Sequence, residues 1–198
     1  MIKGSVLRHT DIPVDRLFLD RWSPRAMSGE EIPPEELQVL FEAARWAPSA
    51  NNNQPWRILY ARRNTPHWPL FFDLLTETNK LWCAQAGALL VFVSKTTFEN
   101  GKPCRTHSYD TGAAWMSLAL QGSLKGYVVH GMQGFDYEKT RETLEIPEGY
   151  QVEAMAAVGL PGTKEALAEQ FQARETPNDR RPLAGTVCEG RFTLGSMP

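Results

Sequence analysis

The chain has 198 residues, 42% of them hydrophobic, which suits one globular domain with or without arms. Its 21 basic and 23 acidic residues leave a net charge of −2, which gives no electrostatic case for nucleic acid or an anionic membrane as partner. The longest apolar run, Ala86 to Val93, is far too short to span a bilayer; Cys83, Cys104 and Cys188 are odd in number, lack C-x-x-C spacing and follow no apolar leader, so a reducing cytoplasm is expected and a zinc or dithiol site is not.

Residues 1–20 mix proline and charge and read as an N-terminal arm. Arg21-Trp22-Ser23-Pro24-Arg25 follows as a short extended piece. Alternate side chains of an extended segment share a face, and Pro24 biases Ser23 away from helix, so Arg21, Ser23 and Arg25 converge. Two guanidiniums flanking a hydroxyl are either a solvated basic turn or a fork for an anion such as phosphate. Pro33 to Trp46 is a predicted helix. Pro33 and Pro34 suit its first turn, Glu35 and Glu36 complement its dipole, and Leu37, Leu40, Phe41 and Ala44 recur at helical spacing.

Ala47-Pro48 stops that helix and opens Pro48-Ser49-Ala50-Asn51-Asn52-Asn53-Gln54-Pro55-Trp56. Prolines at both ends stiffen a loop dense in amide donors and acceptors. It reads either as a polar turn or as a wall for a flat, heteroatom-rich ligand. Trp56 to Ala61 is a predicted strand, Pro69 to Trp82 a helix and Ala88 to Ser94 a buried strand. Tyr109 to Lys125 is a helix apolar or small around most of its circumference, which belongs in a core or a subunit interface; Gly126 ends it.

Tyr127 to His130 is a short strand. Gly131-Met132-Gln133-Gly134-Phe135-Asp136 then either brings its backbone close to a ligand or is a plain connection with Asp136 as the cap of the helix Tyr137 to Leu144. After a turn at 146–150, Gln151 to Gly159 is a strand. From Pro161 the chain turns polar, and Arg180-Arg181 there are either solvated or close over the anion of Arg21 and Arg25. Helices and strands interleave without a regular βαβ alternation, so the expected class is α+β. The expected division is an arm at 1–20, a core at 21–160 and a C-terminal extension at 161–198.

Several chemistries are not indicated. There is no G-x-G-x-x-G after a strand, no Walker A sequence and no G-x-S-x-G around Ser49. His9, His67, His107 and His130 share no metal-binding spacing, and no carboxylate pair suits acid–base work.

From Arg21 to Phe192 the ordered set of motifs resembles the FMN-dependent nitroreductase family. Its Arg-x-Ser-x-Arg element is matched by Arg21, Ser23 and Arg25, with Trp22 where the family often has Arg or His. Its Pro-Ser-Ser-x-Asn-x-Gln-Pro-Trp loop is matched by Pro48, Ser49, Ala50 (for the second Ser), Asn52, Gln54 and Trp56. Asn79 fits the Asn upstream of the buried strand, and Trp82 stands where some members have Lys. Asp110-Thr111-Gly112-Ala113-Ala114 looks like the start of the central helix. Met132, Gln133 and Gly134 are similar to the loop facing the flavin's N5 and O4, with Gln133 for a frequent Glu. Arg180 matches a C-terminal Arg that reaches the phosphate; Asn178 replaces a Lys, for which Arg181 is expected to compensate.

The resemblance implies an α+β fold with a central mixed or antiparallel sheet flanked by helices, in an intertwined homodimer with FMN at the interface. The Pro48–Gln54 loop would come from one subunit, and Arg21–Arg25, Gln133 and Arg180 from the other. It implies NAD(P)H as donor and ping-pong reduction of small electron-poor acceptors such as nitroaromatics or quinones, with flavin-centred chemistry and no catalytic side chain. Arg21 would stabilise the reduced flavin's N1/O2 edge, and Arg25 and Arg180 would hold the phosphate. The fold also hosts dehalogenating, flavin-cleaving and ene- or azoline-directed enzymes, and a non-catalytic FMN-binding module remains a further alternative.

Overall fold

In a computed structural model, which describes residues 2–194, four strands form one sheet in the order β1–β2–β4–β3. These are β1 (Trp56–Arg62), β2 (Ala88–Lys95), β3 (Val128–Met132) and β4 (Tyr150–Gly159). All the pairings are antiparallel. The helices are α1 (Arg16–Asp20), α2 (Pro34–Arg45), α3 (Trp68–Phe72), α4 (Glu77–Cys83), α5 (His107–Leu124), α6 (Tyr137–Thr143) and α7 (Glu169–Gln172). None is long and apolar enough to cross a membrane.

The sheet is covered on both faces, which explains the unbroken apolar run of β2. Side chains alternate along a strand, so Ala88, Leu90 and Phe92 enter one core and Leu89, Val91 and Val93 the other. None of the six is more than 2% exposed. Burying each large apolar side chain contributes roughly 1.5–3 kcal/mol relative to exposure. The first core is closed by α2 through Leu37, Leu40 and Ala44, and by α5 through Ala114, Leu118 and Ala119. The second is closed by Met27, Phe71, Leu74, Trp82 and, from the C-terminal extension, Leu167 and Phe171.

Three expectations change. The helix expected over 69–82 is two, α3 and α4, because the chain breaks at Leu74 and Leu75 to bury both. Leu75 bridges to Phe135, and the Thr76 N–H bonds the Gly134 carbonyl at 3.0 Å, so pairing with a distant segment wins over local helical periodicity. The arm contains α1, capped by Asp15, whose carboxylate accepts the Leu17 N–H at 2.8 Å. β3 runs on to Met132, which places Met132 at a strand end and not in the loop. Asp136 caps α6 by accepting the Lys139 N–H at 2.9 Å.

The arm folds on itself and is held to the core where the Trp22 indole N–H meets the Ile2 carbonyl at 2.9 Å, and the extension docks as well. A Cβ on buried Gly4 would stand 2.0 Å from the Leu19 carbonyl, so only glycine permits that approach. Pro161 bridges to Met27.

Candidate functional site

Five arginines surround one cavity of about 570 Å³: Arg8, Arg21, Arg25, Arg174 and Arg180. α1 ends at Arg21, whose backbone turns extended (φ −68°, ψ 122°), and Pro24 keeps the chain extended. Arg21 therefore shares a face with Ser23 and donates to its hydroxyl at 3.3 Å. Trp22 lines the same cavity while its indole N–H binds the Ile2 carbonyl at 2.9 Å. Arg25 lies over the Phe171 ring at 5.7 Å.

Among the described residues no carboxylate lines this cavity. The nearby Glu175 is buried, and its Oε1 accepts the N–H groups of Arg25 and Ala26 at 2.7 and 2.8 Å; its Oε2 is sealed without a partner. Burial first, then the charges of Arg8 and Arg180, pushes the Arg21 guanidinium below its ordinary range. Burial likewise lowers Arg25 more than Glu175 raises it. Guanidiniums held together so, and still charged at neutral pH, want an anion.

Arg8 is the residue that sequence reasoning missed. It is 6% exposed and donates to the carbonyls of Leu19 (3.0 Å), Arg21 (2.7 Å) and Asn178 (2.7 Å). It thus caps α1 and ties the arm, the extended Arg21 segment and the C-terminal extension at one point. Its partner Asn178 lies 170 residues away, and no local pattern announces such a contact. Arg181, expected to compensate for Asn178, lines an outer groove between arm and extension and not the cavity; Arg8 stands beside Asn178 instead. Arg180 lines the cavity.

His130 also lines it. Burial is the main cause that pushes its imidazole down to about 4, assisted by Arg25 and Arg21 and opposed by the Pro24 carbonyl. Neutral at pH 7, it donates from Nδ1 to that carbonyl at 2.9 Å and packs 4.6 Å from the Trp82 ring.

The Met132–Gly134 segment is fixed from behind. Asn79 donates from Nδ2 to the Gly134 carbonyl at 2.9 Å and accepts the Trp82 indole N–H at 3.1 Å. A Cβ on Gly134 would stand 2.5 Å from Asn79 Nδ2. Asn79 thus orients the loop, and Trp82, 2% exposed, is core. Among the described residues the Gly134 N–H meets no backbone acceptor.

The amide-rich loop is elsewhere. Asn51, Asn52 and Gln54 adopt left-handed backbones (φ 52°, 54° and 47°), a conformation that costs Gln more than Asn. The Ser49 hydroxyl accepts the Gln54 N–H at 3.0 Å, and Asp110, on the first turn of α5, accepts the Ala50 N–H at 3.1 Å. Pro48 is exposed just before it. Asn52 and Gln54 line a separate polar cavity of about 820 Å³ against residues 98–103. Among the described residues it shares no lining residue with the arginine cavity, so the two predicted walls lie apart on one chain.

This helix–sheet–helix architecture is that of FMN-containing oxidoreductases. A solved oxidoreductase containing FMN is 48% identical and superimposes with a TM-score of 0.91, covering 94% of this chain and 96% of that one. The nitroreductase family model matches residues 19–77, and the chain belongs to the nitroreductase family. Nitroreductase NfnB of Mycolicibacterium smegmatis is 41% identical over 44 residues, 22% of this chain and 19% of its own length. A protein from Desulfovibrio desulfuricans, described as a nitroreductase and solved in complex with FMN, shares the fold at 22% identity and a TM-score of 0.71, covering 92% of this chain and 99% of that one.

Proposed function

We propose that the chain binds FMN and, as a homodimer, uses NAD(P)H to reduce small electron-poor acceptors such as nitroaromatics or quinones. The carboxylate-free cluster of arginines around one cavity carries this reading, because a dianionic phosphate monoester matches its charge and its forked donors. Gly134 supports it: Asn79 holds its carbonyl from behind, and its N–H, without a backbone acceptor among the described residues, is left to meet a ring system.

FMN, when bound, supplies two-electron transfer between reduced nicotinamide and acceptor in alternating half-reactions at one site. Arg25 and Arg180 would hold the phosphate, with Ser23 as a lesser donor. Arg21 would stabilise the negative charge that FMN gains on reduction, as an oxyanion hole would. The N–H of Gly134, kept in place by Asn79 through the Gly134 carbonyl, would offer the ring a donor. His130 stays uncharged and adds no positive charge to the cradle. Protons come from water.

The two half-sites of a single chain support the dimer, since a second copy can bring Ser49, Ala50, Asn52 and Gln54 to the arginine side. Exposed apolar residues give that copy a surface: Trp46 at 74%, Tyr109 at 82% and Leu124 at 65% exposure.

Purified protein should be yellow and release about one FMN per chain, and anaerobic NADH or NADPH should bleach it. A colourless protein that FMN cannot reconstitute overturns the reading. Bound FMN that neither nucleotide bleaches would leave only a flavin-binding role.

A further inference from the structure

A β-bulge sets one carboxylate beside the wall formed by Met132 and Gln133. Opposite Phe92 and Val93, β4 presents Ala154 and Val152, so Glu153 is the extra residue; a bulge of this kind re-aims a side chain. Glu153 Oε1 accepts the hydroxyls of Ser94 and, at 2.7 Å, Ser108, and lies 3.4 Å from His107 Nδ1. With the Ser94 proton given to Glu153, His107 Nδ1 is the donor in its 2.8 Å contact with Ser94 Oγ. Glu153 Oε2 has no hydrogen-bond partner among the described residues, and it is not sealed from solvent.

Glu153, Ser108, Thr111 and Gln133 give polar groups to a cavity of about 390 Å³ whose apolar walls include Phe92, Trp115, Met132 and Ala154. Gly112 borders it on α5, and a Cβ there would meet nothing within 4 Å, so the helix leaves open space on this side. A volume of this order suits a molecule of one or two rings, gripped by apolar walls and oriented by few polar groups. A free carboxylate oxygen in such surroundings rewards a hydrogen-bond donor. A ligand that offers it none leaves the oxygen desolvated and unpaired.

We propose that this cavity is the acceptor subsite, and that it selects planar aromatic acceptors carrying a neutral hydrogen-bond donor, a hydroxyl or an amine, received by Glu153. The proposal rests on the FMN reading for its place beside Met132 and Gln133. Ser94, Ser108 and His107 are positioning residues that fix the carboxylate from behind.

The test uses the intact protein without reductant, titrated calorimetrically with 4-nitrobenzyl alcohol and with its methyl ether, its FMN content being measured separately. The alcohol should bind roughly tenfold more tightly than the ether. In Glu153→Met the preference should vanish while ether affinity is kept, and Gly112→Leu should weaken both by filling the cavity. Equal affinities in the unmodified protein, or a preference that survives Glu153→Met, overturn the proposal. If Glu153→Met does not fold, Gly112→Leu still decides: unchanged binding of both compounds would mean that they bind elsewhere. Colourless protein that FMN cannot reconstitute but that still prefers the alcohol would keep the Glu153 binding site and overturn the FMN reading and, with it, the acceptor role; yellow protein with equal affinities overturns the subsite alone.

Discussion

The Glu175 carboxylate holds the backbone of Arg25, with the Arg25 N–H at 2.7 Å from the same oxygen that takes the Ala26 N–H. A residue of the C-terminal extension therefore helps to set where the extended Arg21–Arg25 segment lies.

Glu175→Ala should cost about 1.5–3 kcal/mol of stability, since it leaves two backbone donors without a charged partner. It should also loosen FMN without removing any group that would touch it. Thermal unfolding and FMN titration of the same preparation check this. An unchanged FMN dissociation constant would show that the segment holds its shape alone.

Arg21→Ala should weaken FMN binding by about 1.5–3 kcal/mol through loss of one charge-assisted contact. Arg8→Ala should act differently, because its donors bond the protein's own carbonyls. It should free the segment around Asn178 for limited proteolysis, and Arg8→Lys should rescue it poorly, lacking the planar fork. A tail equally resistant in Arg8→Ala removes the anchoring role.

Acid should destabilise the fold through His130. Its folded value, about 4, lies below the ordinary 6.5. Between those values the unfolded chain binds a proton that the native chain does not, so stability is full above about pH 6.5 and falls as pH drops toward 4. The loss approaches roughly 3 kcal/mol at the lower end. Denaturant titrations of the parent and of His130→Asn at pH 7 and 4.5 should show a smaller acid penalty in the variant.

Gly134→Ala should displace Asn79 or the loop, because the new methyl would stand 2.5 Å from Asn79 Nδ2. Overpacking of this kind costs about 1–3 kcal/mol. The visible spectrum of bound FMN should shift with it, whereas Gly149→Ala, on a remote turn, should leave the spectrum unchanged.

Where a signal is local, the sequence carried it. The period of Leu37, Leu40 and Ala44 marks α2, the apolar run marks β2, and Pro24 with two-residue alternation brings Arg21 to Ser23. What escaped depends on distant partners. The break between α3 and α4 follows from Thr76 meeting Gly134, and Arg8 becomes part of the cradle through Asn178. Arg181 shows the converse: a charge beside the right neighbour in sequence, turned to another groove by the path of the backbone. The α1 cap at Asp15 was readable, but the prolines around it made the whole arm look irregular.

The separation of the arginine cavity from the amide loop on one chain has a thermodynamic consequence for the proposed dimer. A ligand completed by two copies stabilises their association by the same factor by which association tightens the ligand. Dilution should therefore release cofactor, and added FMN should lower the concentration at which subunits pair. The holoprotein's working range would then be set by its own abundance as much as by flavin supply.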